Sequence, residues 1–447
     1  MKKYFIYTFF LCSFLSCRMG KSVFKSSEHF LFEDSVIASA HVGVSIYEPS
    51  TSRYLYQKNA DKYFVPASNT KLFTLYCGLK YLGDSLTGLQ YFEKNGAVFV
   101  FPTGDPTFLH PNFTYQPVFD FLSKQQYPIV VVTSSNHNQP VKYGKGWSWD
   151  DADESFMPQR NQFPMYGNLL QLECTKSLLG NINTSHIEPN LPDIILNYSV
   201  DSSANKSIVN RIQNENIYNV VFSRKDSFIK KIIPFETNGT ETTISFLKKK
   251  FKLSSIPENA FNPEIALKEV DSFKQIKTQV SDSMFKYMMY NSDNFFAEQT
   301  LFMCCNVATW SMNEEEMITL LLSKECKDIP QMPRWVDGSG LSRYNLFSPN
   351  DFIYILKKID QEFGENRMKA ILPTAGNGTM KNFCLKDSGF IYAKTGSMSN
   401  VYSISGILFT KKKKKLMFSI LINNYNGKSA IVKKSIEKYL ANIRKQY

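Results

Sequence analysis

The chain of 447 residues is 43% hydrophobic and 21% charged, a balance that suits a globular protein of about two domains and excludes a mostly disordered one. Its net charge of +12 comes from lysines and arginines spread along the sequence; the densest run, Lys411 to Lys415, is too short for a nucleic-acid-binding arm, so nucleic acid is not an expected partner. Eight cysteines without a C-x-x-C pair, and five histidines without metal-ligand spacing, exclude the common zinc patterns, and no metal or cofactor is expected.

In chain order, Lys2 and Lys3 precede an apolar run from Tyr4 to about Ser16, placed like a signal peptide and too short to span a bilayer as a helix. The run closes on Phe14-Leu15-Ser16-Cys17, similar to a lipoprotein lipobox with its leucine one place late. Residues 1–17 therefore read as an export signal, followed either by a lipid anchor at Cys17 or by ordinary cleavage. Cys12 and Cys17 fall in that segment. The other six cysteines stay open between disulfides of an oxidising compartment and buried free thiols.

Residues 18–90 open the first part of a catalytic domain. Ala40–Tyr47 alternates like a strand, Tyr54–Gln57 looks like its hairpin partner, and Lys71–Leu82 is apolar-periodic like a helix with Ser68 at its start. Residues 91–277 change texture: short β-like stretches such as Ile129–Thr133, Ile194–Tyr198 and Asn219–Phe222 alternate with Asn- and Ser-rich loops, as in an inserted β-rich domain. Residues 278–447 return to the catalytic domain. Ser283–Tyr290 and Phe295–Met303 read as helices flanking a polar break, followed by helices at Met317–Leu322 and Pro349–Lys358. Strands Phe390–Ala393, Tyr402–Phe409 and Leu416–Asn423 and a helix, Ala430–Arg444, end the chain, with Lys411–Lys415 as a solvated hairpin tip. Strands at both ends around central helices fit an α/β fold whose antiparallel sheet is completed by both termini.

Ser68 and Lys71 stand one helical turn apart, a serine hydroxyl within reach of an amine. Alone the spacing is weak, since Ser-x-x-Lys also starts at Ser22, Ser203, Ser227, Ser245, Ser283 and Ser435. Context separates it from the others. Ser292-Asp293-Asn294 fills the break between two helices, and Lys394-Thr395-Gly396 lies on a strand, so that S-x-x-K, S-D-N and K-T-G occur in order, as in serine β-lactamases and penicillin-binding proteins. Acyl transfer at an amide needs a nucleophile, a base and oxyanion donors. Ser68 supplies the first. Lys71 supplies the second when it is neutral, a form favoured by desolvation and by a neighbouring cation such as Lys394.

The longer match resembles the class C low-molecular-mass penicillin-binding proteins, the D-alanyl-D-alanine carboxypeptidase/endopeptidase (DacB-type) family. It is carried by VPASNTKLFT (Val65–Thr74), GDPTF (Gly104–Phe108), GWSWDD (Gly146–Asp151), NSDNFFAE (Asn291–Glu298), DGSGLSRYNLFSP (Asp337–Pro349), LPTAGNGTM (Leu372–Met380) and AKTGSMSNVYSISG (Ala393–Gly406). The gap between Lys71 and Ser292 leaves room for the large insertion of that family. The resemblance implies a β-lactamase/transpeptidase-like fold, an antiparallel sheet flanked by helices with a large β-rich insertion.

It also implies a penicillin-sensitive serine peptidase acting on peptidoglycan stem peptides, with β-lactams as inhibitors. Ser292 and Asn294 would complete a proton path and hold the substrate backbone, while Asp293 would be structural. Lys394 and Thr395 would take the terminal carboxylate. Gly396 would let the backbone approach, and the amides of Ser68 and Ser397 would form the oxyanion hole. Asp151, with Asp150 as the alternative, would meet the free amine of a diaminopimelate side chain. Trp149, Met398 and Ser399 would line that pocket, Arg343 would face a carboxylate there, and the Asp337–Gly340 turn would support the site.

Two other readings share the fold. A β-lactamase would need rapid deacylation, which class A enzymes obtain from a glutamate in E-x-x-L-N; Glu298-Gln299-Thr300-Leu301-Phe302 lacks the Asn and follows S-D-N too soon. A non-catalytic peptidoglycan-binding protein would have lost a motif residue, and none is lost here.

Overall fold

The computed structural model describes residues 23–133, 140–257 and 273–447; the expected export signal, residues 1–17 with Cys12 and Cys17, lies outside them. Among the described residues no helix is long and apolar enough to cross a membrane. The chain divides into two compact units, one of residues 1–79, 285–293 and 318–447 and one of residues 80–284 and 294–317.

In the first unit, five antiparallel strands form a sheet in the spatial order Ile391–Met398, Val401–Phe409, Lys415–Asn423, His41–Glu48, Arg53–Lys58. The N-terminal hairpin joins the C-terminal strands through His41–Glu48, with Val44 opposite Ile420. Both faces are covered, so apolar residues occupy both of them and no apolar–polar alternation is needed. Val42, Val44, Ile46, Ile404, Phe418, Ile420 and Ile422 enter one buried cluster. The closing helix Ser429–Gln446 supplies Val432, Ile436, Tyr439, Leu440 and Ile443 to the same cluster, an i, i+3/i+4 stripe that faces a core.

On the opposite sheet face, small residues gather at the centre: Gly43, Ser45, Ser405 and Ser419. Ser45 and Ser405 are both cross-strand neighbours of Ser419. Ser405 Oγ donates to Ser419 Oγ (2.9 Å), and Ser45 Oγ donates to Asn350 Oδ1 (2.8 Å). A Cβ on Gly43 would stand 2.5 Å from the Phe64 ring and 2.8 Å from Pro349 Cγ. Small side chains here let the Pro349–Phe363 helix lie close to the sheet. That helix begins on a capping box, in which Ser348 Oγ accepts from Asp351 N–H and Asp351 Oδ2 accepts from Ser348 N–H (2.7 Å). The Lys71–Tyr81 helix is buried from Lys71 through Leu79, which explains why its sequence carries almost no polar face.

Among the described residues, the second unit holds three sheets. One runs Leu253–Pro257, Ile129–Thr133, Ala97–Pro102, Ser85–Lys94, Lys274–Val280, mixing parallel and antiparallel pairs. Two three-stranded sheets, Ile195–Asp201, Ile217–Ser223, Ile208–Arg211 and Phe228–Pro234, Leu169–Lys176, Ile182–Glu188, share a core of Leu170, Leu172, Tyr218, Val220, Phe222 and Ile233. The Asn294–Thr309 helix also belongs to this unit and is buried from Phe295 through Cys305.

Two sequence expectations are refined. The six described cysteines, Cys77, Cys174, Cys304, Cys305, Cys326 and Cys384, are buried free thiols, so the core and not a disulfide framework accounts for them. At the lysine-rich hairpin tip, Lys411 to Lys414 are exposed, but Lys415 is not a solvated tip residue. It starts the strand and pairs with Asp360 (2.8 Å) and Glu365 (3.1 Å).

Candidate active site

Ser68 lies in a 3-10 turn, Ala67–Thr70, that runs straight into the Lys71–Tyr81 helix. The turn is held tightly on several sides. Ala67 adopts φ +47°, a left-handed conformation that costs a residue with a Cβ and persists only where the surroundings enforce it. Ser403 Oγ donates to Pro66 O (2.6 Å), and Thr70 Oγ1 donates to Ala67 O (2.9 Å). Gly340 sits at φ +83°, where a Cβ would stand 1.9 Å from Ala67 O; only glycine fits.

The same glycine-rich turn reaches the base. Lys71 is fully buried, and its Nζ donates to Ser68 Oγ (2.9 Å) and to Ser339 O (2.7 Å). The Asp337 carboxylate organises this turn by accepting from Gly340 N–H (2.9 Å), Ser342 N–H (2.7 Å) and Asn345 Nδ2 (2.7 Å).

Ser292 sits between the helices Ser281–Asn291 and Asn294–Thr309 at φ +54°. Lys394 Nζ donates to Ser292 Oγ (2.7 Å) and to Thr395 O (2.6 Å). Complete burial, and then the charge of Lys71, hold Lys394 well below an ordinary lysine pKa. Each lysine thus holds one serine hydroxyl, and the two amines feel one another. Asn69, also fully buried, ties the serine turn to the K-T-G strand: its amide donates to Lys394 O (2.5 Å), and its carbonyl accepts from Ile404 N–H (3.1 Å). Gly396 lies directly against the turn. A Cβ there would be 2.7 Å from Ser68 N, 2.9 Å from Pro66 O and 2.4 Å from Ser403 Oγ. Thr395 Oγ1 is bonded to Thr379 Oγ1 (2.8 Å).

A model of the D-Ala-D-Ala carboxypeptidase 3 (S13) family matches residues 28–447. The chain belongs to that family. Over 166 residues this S13 chain is 30% identical to penicillin-sensitive carboxypeptidase A of Dictyostelium discoideum, covering 34% of this chain and 32% of that protein. Over 161 residues it is 26% identical to D-alanyl-D-alanine carboxypeptidase DacB of Haemophilus influenzae, covering 34% and 30%. The chain spans about a third of the length of these curated relatives.

Its fold is that of penicillin binding protein 4 from H. influenzae, with a TM-score of 0.73 at 20% identity over 92% of this chain and 98% of that one. Bd3459, a peptidoglycan endopeptidase from Bdellovibrio bacteriovorus, is more distant, with a TM-score of 0.50 at 12% identity over 91% and 93%. The α/β fold with an antiparallel sheet flanked by helices, expected from the motifs, is the fold of this S13 chain.

The remaining candidate residues fall in both units. In the first, Ser397 follows Gly396 exposed on the strand, Met398 is half-buried at its end, and Ser399 is exposed beyond it. Arg343 Nη2 donates to Ser399 O (3.4 Å). In the second, Asn294 opens the Asn294–Thr309 helix, and its Nδ2 donates to Phe156 O (2.9 Å). Trp149 and Asp151 bound a 3-10 turn, with Trp149 85% exposed.

Contacts within the first unit therefore bring together Ser68, Lys71, Ser292, Lys394, Thr395 and Gly396. Two contributors, Asn69 and Thr379, are absent from the sequence expectation, and the Asp337–Gly340 turn named there reaches Lys71 through the Ser339 carbonyl. Asn69 and Thr379 lie inside quoted motif stretches, whereas a backbone carbonyl leaves no signature in a sequence. In the second unit, the Glu298 carboxylate is engaged by Arg160 Nη1 (2.9 Å), with neither side chain exposed.

Proposed function

We propose that this S13 chain is a serine-type D-Ala-D-Ala carboxypeptidase and D,D-endopeptidase that cuts peptidoglycan stem peptides through an acyl-enzyme. The observation that carries the reading is the contact of Lys71 Nζ with Ser68 Oγ at 2.9 Å, beside a second amine–hydroxyl pair, Lys394 and Ser292, at 2.7 Å.

Ser68 Oγ attacks the carbonyl carbon of the penultimate D-alanine while neutral Lys71 takes its proton. The amides of Ser68 and Ser397 stabilise the oxyanion; the tight approach of Gly396 to Ser68 N supports that assignment. As the C–N bond breaks, Ser292 passes its proton to the departing amine and is reprotonated from the lysine pair. Water then attacks the ester with Lys71 again as base, releasing the shortened peptide and restoring Ser68. Asn294 holds the substrate backbone. Lys394 and Thr395 receive the terminal carboxylate, and the arriving negative charge favours the ammonium form of Lys394 that burial disfavours.

For specificity, the resemblance points to Asp151 as the partner of the free amine of a diaminopimelate side chain, and to Trp149, Met398, Ser399 and Arg343 as further specificity residues. β-Lactams acylate Ser68 in place of the peptide; a β-lactam complex has been crystallised for the H. influenzae penicillin binding protein 4, whose TM-score to this chain is 0.65 at 19% identity. Glu298, bound by Arg160, is unsuited to activate a deacylating water, which favours inhibition by penicillin over its turnover. Residues 1–17 direct export to the cell envelope, with a lipid anchor at Cys17 as one form of it.

The test is release of D-alanine from an acyl-D-Ala-D-Ala peptide. Wild type is expected to release it and Ser68→Ala to be slower by roughly a thousandfold or more. Equal rates for the two proteins would remove Ser68 from the chemistry, and no release by wild type would favour the inert binding protein.

A further inference from the structure

The hydroxyl of Thr379 lies 2.8 Å from that of Thr395, and no step above uses it. Thr395 is 8% exposed, whereas Thr379 sits on an exposed 3-10 turn, Gly378–Met380. The turn is firmly placed. Gly378 holds φ +52°, and a Cβ there would stand 2.7 Å from Tyr290 O, at the end of the helix that leads to Ser292. Met380 is fully buried in the sheet core, and Gly376 N–H donates to Met380 O (3.0 Å). Upstream, Thr374 Oγ1 donates to Ile391 O (2.8 Å) and Ala393 N–H donates to Pro373 O (2.9 Å), which stitches this segment to the K-T-G strand.

We propose that Thr379 is a second hydroxyl donor to the terminal carboxylate of the stem peptide. This rests on the reading of the site as a carboxypeptidase centre. Without substrate, one threonine donates to the other, so each oxygen is satisfied. Hydroxyl hydrogens rotate freely, and two oxygens 2.8 Å apart match the two oxygens of one carboxylate. When the carboxylate arrives, both O–H groups turn to donate, one to each oxygen. Charge-assisted bonds replace a neutral one, and nothing else has to move. The pair favours a carboxylate over a carboxamide through charge: both O–H groups then make charge-assisted bonds, whereas an amide, with one hydroxyl turned to accept from its NH2, makes only neutral ones. Thr379 also reads the ligand from the solvent side, which the buried Thr395 does not reach.

Binding is measured by calorimetry on the Ser68→Ala protein, with an acyl-D-Ala-D-Ala peptide and its C-terminal amide as probes. Adding Thr379→Val is expected to weaken the carboxylate peptide by about tenfold and the amide by clearly less. Thr379→Ser is expected to restore the tighter binding. Equal weakening of both probes, or no change for either, would overturn the proposal, as would failure of Thr379→Ser to rescue. Because no bond is cut in this assay, its outcome is separate from D-alanine release by the wild-type protein, which tests the function itself.

Discussion

Lys394 and Lys71 are two fully buried amines that act on one another: after burial itself, the charge of Lys71 is what lowers the pKa of Lys394. The consequence for folding has a definite sign. A lysine whose pKa is lower folded than unfolded binds fewer protons in the native state between those two values, so stability rises with pH across that window. Lys394→Met removes the titration. Wild type should therefore gain stability relative to Lys394→Met as pH rises from neutral toward the ordinary lysine range, in urea melts run at a series of pH values. Parallel curves would mean that Lys394 is not the buried amine of lowered pKa described here.

Gly396 offers a test of how tightly the serine turn docks on the strand. With Ser68 N at 2.7 Å and Ser403 Oγ at 2.4 Å from a prospective Cβ, Gly396→Ala must displace the turn or the strand. Losing one aligned oxyanion donor costs about a hundredfold or more, so the acylation rate by penicillin should fall by that order. The melting temperature should change little by comparison, since the strand keeps its ladder to Val401–Phe409. An acylation rate equal to wild type would show that Gly396 is not in contact with the nucleophile's turn.

Arg160 centres a buried ion network of the second unit. Its guanidinium donates to Glu298 Oε2 (2.9 Å), Glu314 Oε1 (3.0 Å) and Val141 O (3.0 Å) between the rings of Trp147 and Phe302. Removing one partner of a buried ion network leaves the others uncompensated, at a cost of about 3–5 kcal/mol. Arg160→Met should lose stability by that order in chemical denaturation. Replacing Arg160, Glu298 and Glu314 together with apolar residues of similar size should recover most of it, and a single variant as stable as wild type would contradict the network.

The parts of this molecule legible in sequence are those whose physics is local. The strand at His41–Glu48, the apolar periodicity of Ser429–Gln446 and the helix that opens at Pro349 each follow from residues within a few positions. So does the break at Ser292, where a polar triplet interrupts two apolar-periodic stretches. What was not legible is set by distant pairing. Nearly every side chain of Ile195–Asp201 is exposed, so no alternation marks its extent; its span is fixed by parallel pairing with Ile217–Ser223. Ser339 reaches Lys71 through a carbonyl that any residue would supply. Thr379 and Asn69 act through partners brought near only by the completed sheet. Lys415 looked like one more solvated lysine because its carboxylate partners, Asp360 and Glu365, lie in helices far back in the chain.

The central claim is that Ser68, held by Lys71, is an acylating nucleophile. Intact-mass spectrometry after brief exposure of the protein to benzylpenicillin tests it most directly, with Ser68→Ala alongside. A stable gain of one penicillin mass is expected on the wild type and none on Ser68→Ala. No adduct on the wild type, whether the drug survives intact or is destroyed, would contradict a penicillin-sensitive peptidase, the second case pointing to a lactamase. An adduct on both proteins would contradict the assignment of Ser68.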